Sequence, residues 1–173
     1  MRILLIVLAT AAIALPASAA GVDPQALVIA RSDVPSGFRA DPKETGIRSN
    51  EFEATEFPET RTKFQRWRRV TGYQARYQHG SGVIEARVDL FRGADGAHEL
   101  LGWVDLELRK AGVKGQTRVR SDIGMEGWVH SVGFTLVVWR QGRVFAAVMG
   151  RGISRAETLA LARAQQRRMV AGL

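Results

Sequence analysis

The residues whose types and spacing could do chemistry begin with a basic-aromatic run, Lys63-Phe64-Gln65-Arg66-Trp67-Arg68-Arg69. Cations interleaved with aromatics can hold phosphate or carboxylate groups while an indole stacks or inserts. A second basic group, Arg163, Arg167 and Arg168, stands near the end of the chain. Together, Lys63, Arg66, Trp67, Arg68, Arg69, Arg163, Arg167 and Arg168 form the expected contact with an anionic surface. The competing reading makes Phe64 and Trp67 core anchors and leaves the charges to solvent. The acidic stretch with Glu51, Glu53, Glu56 and Glu59 would then fold against them.

Catalytic patterns are sparse. No pair among His79, His98 and His130 has the i, i+4 spacing of a helical metal motif. His79-Gly80-Ser81-Gly82 sets a histidine near a serine, but it is not the Gly-x-Ser-x-Gly elbow that exposes a nucleophile. Its glycines suit a hairpin turn. Glu85 and Asp89 share one strand face with Arg87 between them. They could meet at a site, or form a solvated face on which Arg87 pairs with either acid. Gly112-Val113-Lys114-Gly115 is too short for a phosphate loop. The sequence thus assigns no catalytic, cofactor-binding or metal residue, although a hydrolase with dispersed groups remains a possible reading.

Composition narrows the rest. The chain has 173 residues, no cysteine, and 25 Lys and Arg against 17 Asp and Glu. The cysteine count removes thiol catalysis, thiolate metal sites and disulfides. Arginine dominates the cations, and its planar fork suits phosphate and carboxylate.

Residues 1–19 read as a secretory signal peptide. Arg2 precedes the apolar run Ile3 to Ala9, Pro16 breaks it, and Ala17-Ser18-Ala19 offers small residues for cleavage. The run is short for a membrane span, and no later stretch is long and apolar enough to serve as one. Residues 20–173 are then one globular domain in a periplasm, a cell-wall space or the outside. Export makes nucleic acid an unsuited partner. The partners expected are an anionic envelope component, either lipid or wall polymer, or a small apolar ligand in a cleft between sheet and helix.

These residues need elements to position them. Asp23-Pro24 predicts a short helix through Arg31, and Pro58 predicts one carrying Phe64 and Trp67 on one face. Residues 38–50 hold one edge strand or only loop. Strands follow over 72–79 and 82–92, the second with Ile84, Ala86, Val88 and Leu90 alternating with charge. The clearest helix runs from Asp95 to about Lys110, with Ala97, Leu100, Leu101, Val104 and Leu108 on its apolar side. Strands near 116–121, 126–132, 134–140 and 143–150 come next. The last, apolar on both alternations, should lie centrally. Ser154-x-x-Glu157 signals a closing helix. The fold class is α+β: a mainly antiparallel sheet of five to seven strands with three or four helices packed on it.

Several motifs occur in an order that spans most of this domain. They are Leu27…Ser32-Asp33-Val34-Pro35-Ser36-Gly37-Phe38, Ala94-Asp95-Gly96-Ala97, Ile123-Gly124-Met125-Glu126, Val138-Trp139-Arg140-Gln141-Gly142-Arg143-Val144 and Leu161-Ala162-Arg163-Ala164-Gln165-Gln166-Arg167. The set resembles uncharacterised secreted bacterial domains similar to the Mog1/PsbP-like α/β/α sandwich. Some relatives of that kind are lipoproteins or sensor-like extracellular modules; this chain lacks the lipid-attachment cysteine. The resemblance implies the sandwich fold and a binding role, and it carries over no functional residue.

Overall fold

The computed structural model describes residues 21–113 and 116–173. The expected leader at 1–19 lies outside the described residues. Eight strands form one open antiparallel sheet: β1 (Arg39–Ala40), β2 (Gly46–Arg48), β3 (Arg69–His79), β4 (Gly82–Phe91), β5 (Thr117–Arg118), β6 (Glu126–Ser131), β7 (Thr135–Gln141) and β8 (Val144–Arg151). Among the described residues five α-helices accompany them: α1 (Pro24–Leu27), α2 (Asn50–Glu56), α3 (Thr60–Arg66), α4 (Ala94–Lys110) and α5 (Arg155–Gly172). The strand order is β1-β3-β4-β8-β7-β6-β5, with β2 also paired to β3.

The α+β class holds, and the counts rise for a physical reason. β1, β2 and β5 are two or three residues long, too short to leave an alternating pattern. The expected helix at residues 23–31 is a four-residue α1 followed by a 3-10 turn at Arg31–Asp33. The helix expected after Pro58 has a predecessor, α2, started by Ser49, whose hydroxyl accepts from the Phe52 amide.

The strand period of two divides the core between the two sheet faces. On one, Ile84, Ala86, Val88, Val137, Trp139, Ala146 and Val148 pack against Leu27 of α1 and Leu161, Ala162 and Met169 of α5. On the other, Phe91, Val138 and Phe145 pack against Ala97, Leu100 and Leu101 of α4 and Phe64 of α3. Helices cover both faces, and β8 runs between β4 and β7 at the centre, as its two apolar alternations require. The Ser154 and Glu157 capping box starts α5. Gly96 lets α4 approach closely, because a Cβ there would strike the Trp67 carbonyl and the Phe91 ring.

The charged alternation of β4 does not form a solvated face. Asp89 is wholly buried, and Glu53 and Arg69 are buried beside it. β2 extends the sheet edge beside β3, and α2 brings Glu53 onto this face, where Arg87 pairs with both Asp89 (2.8 Å) and Glu53 (3.0 Å). The expected pairing of Arg87 is present; the expected solvation is not.

Candidate functional site

The basic-aromatic run divides according to burial. α3 places Phe64 inward at 2% exposure, and the following Trp67 is 5% exposed against Phe64 and Trp103. Trp67 is therefore a core anchor and not the surface indole expected to meet a ligand. Arg69 is likewise corrected. Its side chain is fully buried, donating through Nε to Asp89 (2.8 Å), through Nη1 to Asn50 (2.7 Å) and through Nη2 to the Arg48 carbonyl (2.8 Å). A buried carboxylate needs a paired cation, and Arg69 supplies it.

Arg66 and Arg68 remain outside. Arg68 has φ 55°, left-handed for a non-glycine residue, and turns the chain from α3 into β3. A pocket of about 260 Å³ opens there, lined by Arg66, Trp67, Arg68, Gly93, Asp95, Gly96 and Glu99. Gly93 precedes α4 and offers no side-chain cap to its first turn, which carries Asp95. Arg66 lies over the Trp67 ring at 5.8 Å. It reaches Glu99 at 3.9 Å with both side chains more than half exposed, a contact worth little in water. The pocket combines charged side chains, two glycines and the Trp67 indole at the start of α4.

The other expected cations scatter. Lys63 sits 5.4 Å over the Trp103 ring. Arg163 is tied to Asp122 (2.7 Å) and Arg168 to Asp33 (2.8 Å). Arg167 is exposed. Sequence reasoning missed Arg92 and Arg143, both exposed. The Arg92 amide donates to the Arg68 carbonyl (3.0 Å), and the Phe91 amide donates to the Arg143 carbonyl (3.1 Å). Nothing local in the sequence marks them, because only strand register brings residues 68, 92 and 143 to one end of the sheet.

The histidines lie apart. His79 meets the Phe38 ring edge-on at 5.6 Å. His98 contacts Glu126 (2.9 Å), which also binds Arg140 (2.8 Å). His130, 1% exposed, lies 4.0 Å from Asp105. Among the described residues, no group of three or more His, Cys, Asp and Glu is placed to hold a metal ion.

Electrostatics separate the buried network from the pocket. Burial pushes the Asp89 carboxyl up, but the charges and hydrogen bonds of Arg69 and Arg87 outweigh it and hold the group below its ordinary value. Glu85 goes the other way: burial raises its carboxyl despite nearby Arg76, Arg87 and Arg48. The network is closed on itself, with Gln74 donating to the Glu44 carbonyl and Asn50 to the Arg69 carbonyl. It fastens β2, β3, β4 and α2, while the arginines of the pocket face outward.

No family model and no curated protein matches the chain. Solved structures of similar fold include an extracellular domain. The extracellular domain of PknH from Mycobacterium tuberculosis aligns over 87% of this chain and 100% of its own, at 10% identity and a TM-score of 0.50. That likeness concerns the fold alone. Among the described residues, no helix is long and apolar enough to cross a membrane.

Proposed function

We propose that the protein is an exported binding or accessory domain that attaches to an anionic component of the cell envelope. The observation that carries this reading is the pocket where Arg66 and Arg68 stand beside the uncapped start of α4. Guanidinium groups and helix N-termini favour phosphate or carboxylate oxygens, with Asp95 and Glu99 sharing the lining as partners an anion must displace from the arginines. The expected leader at residues 1–19 and the fold likeness to an extracellular domain support the location. Helices on both faces of the sheet support the resemblance to Mog1/PsbP-like sandwiches.

Binding to anionic vesicles or to a soluble polyanion tests it. Attachment should weaken strongly between about 0.01 M and 0.15 M salt, as the screening length falls from about 30 Å to about 8 Å. The double variant Arg66→Ala/Arg68→Ala should lose most of it. Binding that ignores both salt and the double substitution contradicts the proposal.

A further inference from the structure

We infer that one end of the sheet is a lipid-facing edge, seating the protein on the surface of an anionic bilayer; this deepens the anion-binding reading above and rests on it. The end is defined by the start of β3, the end of β4 and the β7–β8 hairpin, because Arg69 registers with Phe91 and Leu90 with Val144. Arg68, Arg92 and Arg143 stand just beyond those pairs, each exposed. No ion pair engages any of the three among the described residues. β3, β4 and β8 are consecutive in the sheet, so the three arginines form a row roughly 10 Å long at the usual strand spacing of about 4.8 Å. Of the acids nearby, Glu126 is engaged by Arg140 and His98, while Asp95 and Glu99, the latter held only by the exposed Arg66 contact, stand beside the row.

Large apolar side chains accompany the row. Val70, next to the first pair of β3, is 41% exposed. Met125 is 62% exposed, and its amide donates to the Arg140 carbonyl at the end of β7 (3.0 Å). α5 adds Arg167 and Val170, the latter 60% exposed. Val170 follows Gln166 by one helical turn on the same side, and Gln166 reaches Gln141 of the hairpin (3.2 Å). Arginines outside any ion pair among the described residues, together with exposed apolar tips at the same end of the sheet, match a bilayer surface, where guanidinium meets headgroup phosphate and the apolar tips enter the acyl boundary. A dissolved polyanion would use the charges and leave the apolar tips without a role, so the bilayer is the partner these residues favour.

Co-sedimentation with neutral phosphatidylcholine vesicles, with vesicles containing phosphatidylglycerol, and with soluble polyphosphate tests this. Each variant's thermal melt is recorded first; the substituted residues are exposed, so the melts should match wild type. Wild type should pellet with the anionic vesicles and not with the neutral ones. Arg92→Gln/Arg143→Gln should weaken that binding about 30-fold, at the usual contribution per arginine near an anionic surface. Met125→Ser/Val170→Ser should weaken it while leaving polyphosphate binding unchanged. If Arg92→Gln/Arg143→Gln binds vesicles like wild type while Arg66→Ala/Arg68→Ala does not, the lipid edge is wrong and the pocket stands. If polyphosphate binds as tightly as vesicles and neither double variant at the edge separates the two, the partner is a polymer and the lipid edge is again wrong. If nothing anionic binds, both readings fall.

Discussion

Arg69 and Asp89 meet across β3 and β4 with both side chains fully removed from water, Nε to Oδ1 at 2.8 Å. Gly72 makes the meeting possible. A Cβ there would stand 2.5 Å from both Arg69 Nη2 and Asp89 Oδ1.

Breaking this pair from one side removes one of the two cations that compensate the buried Asp89 charge, leaving Arg87 alone, and strands the Asn50 and Arg48 acceptors. Arg69→Met should therefore cost about 3–5 kcal/mol in urea unfolding, and Gly72→Ala should be destabilising through the same contact. The double replacement Arg69→Met/Asp89→Leu should recover part of the loss. A cost below about 1 kcal/mol for Arg69→Met would show that the pair is not closed from water as described.

The same network sets an acid limb. The Asp89 carboxyl is lowered in the fold, so its stabilisation is complete above the unfolded value of about 4 and is lost as pH falls through the folded value. Urea midpoints measured from pH 6 down to pH 2.5 should fall steeply below about pH 4 for wild type. In Asp89→Asn the midpoint starts lower and falls less over that interval. Parallel curves would remove Asp89 from the explanation.

His130 has no hydrogen-bond partner at either ring nitrogen among the described residues and is 1% exposed. Burial lowers its imidazole; Asp105 opposes that and Arg109 adds to it. A buried polar group without a partner costs about 1–3 kcal/mol. His130→Leu should therefore stabilise the protein by about 1 kcal/mol at pH 7. The unfolded imidazole gains its proton near pH 6.5 while the folded one resists, so wild type loses stability below that pH. The advantage of the variant should grow at pH 5.5. Equal denaturation midpoints at both pH values would mean that His130 is satisfied in solution.

Core substitutions separate the two halves of α4. Leu101 is 2% exposed, whereas Val104 is only half-buried. Leu101→Asp should abolish cooperative melting, because it buries a charge without a partner, and Val104→Asp should leave a folded, weakened protein. Phe145→Ala should cost about 3–5 kcal/mol; Leu136→Ala, at a half-buried site, should cost less. Equal effects at positions 101 and 104 would contradict the described packing.

These residues also mark how far the sequence could be read. The periodicity of β4, β7 and β8, the central place of β8 and the capping box of α5 were legible, because each is a local pattern of apolar spacing or cap chemistry. Arg69 and Arg68 look alike as neighbours in a basic run, yet one is sealed against Asp89 and the other is exposed. That difference comes from a left-handed turn at Arg68 and from the chain returning as β4 to place Asp89 twenty positions after Arg69. Arg92 and Arg143 became part of the candidate site only through register. The alternation of β4 left Asp89 open between a shared site and a solvated face, because the α2 residue that closes over it, Glu53, comes from a short helix with no strong signature. Val104 and Leu108 fit the helical stripe but extend past the region where the sheet beneath is fully packed.

The most direct measurement is an amide NMR titration of the protein with inorganic phosphate, matched in ionic strength by chloride. Saturable shifts are expected at Arg68, Gly93, Asp95 and Gly96, absent in Arg66→Ala/Arg68→Ala and absent around Arg163 and Arg168. If those amides stay still, or respond to chloride as they do to phosphate, the arginine-lined pocket is not an anion site and the proposed function fails.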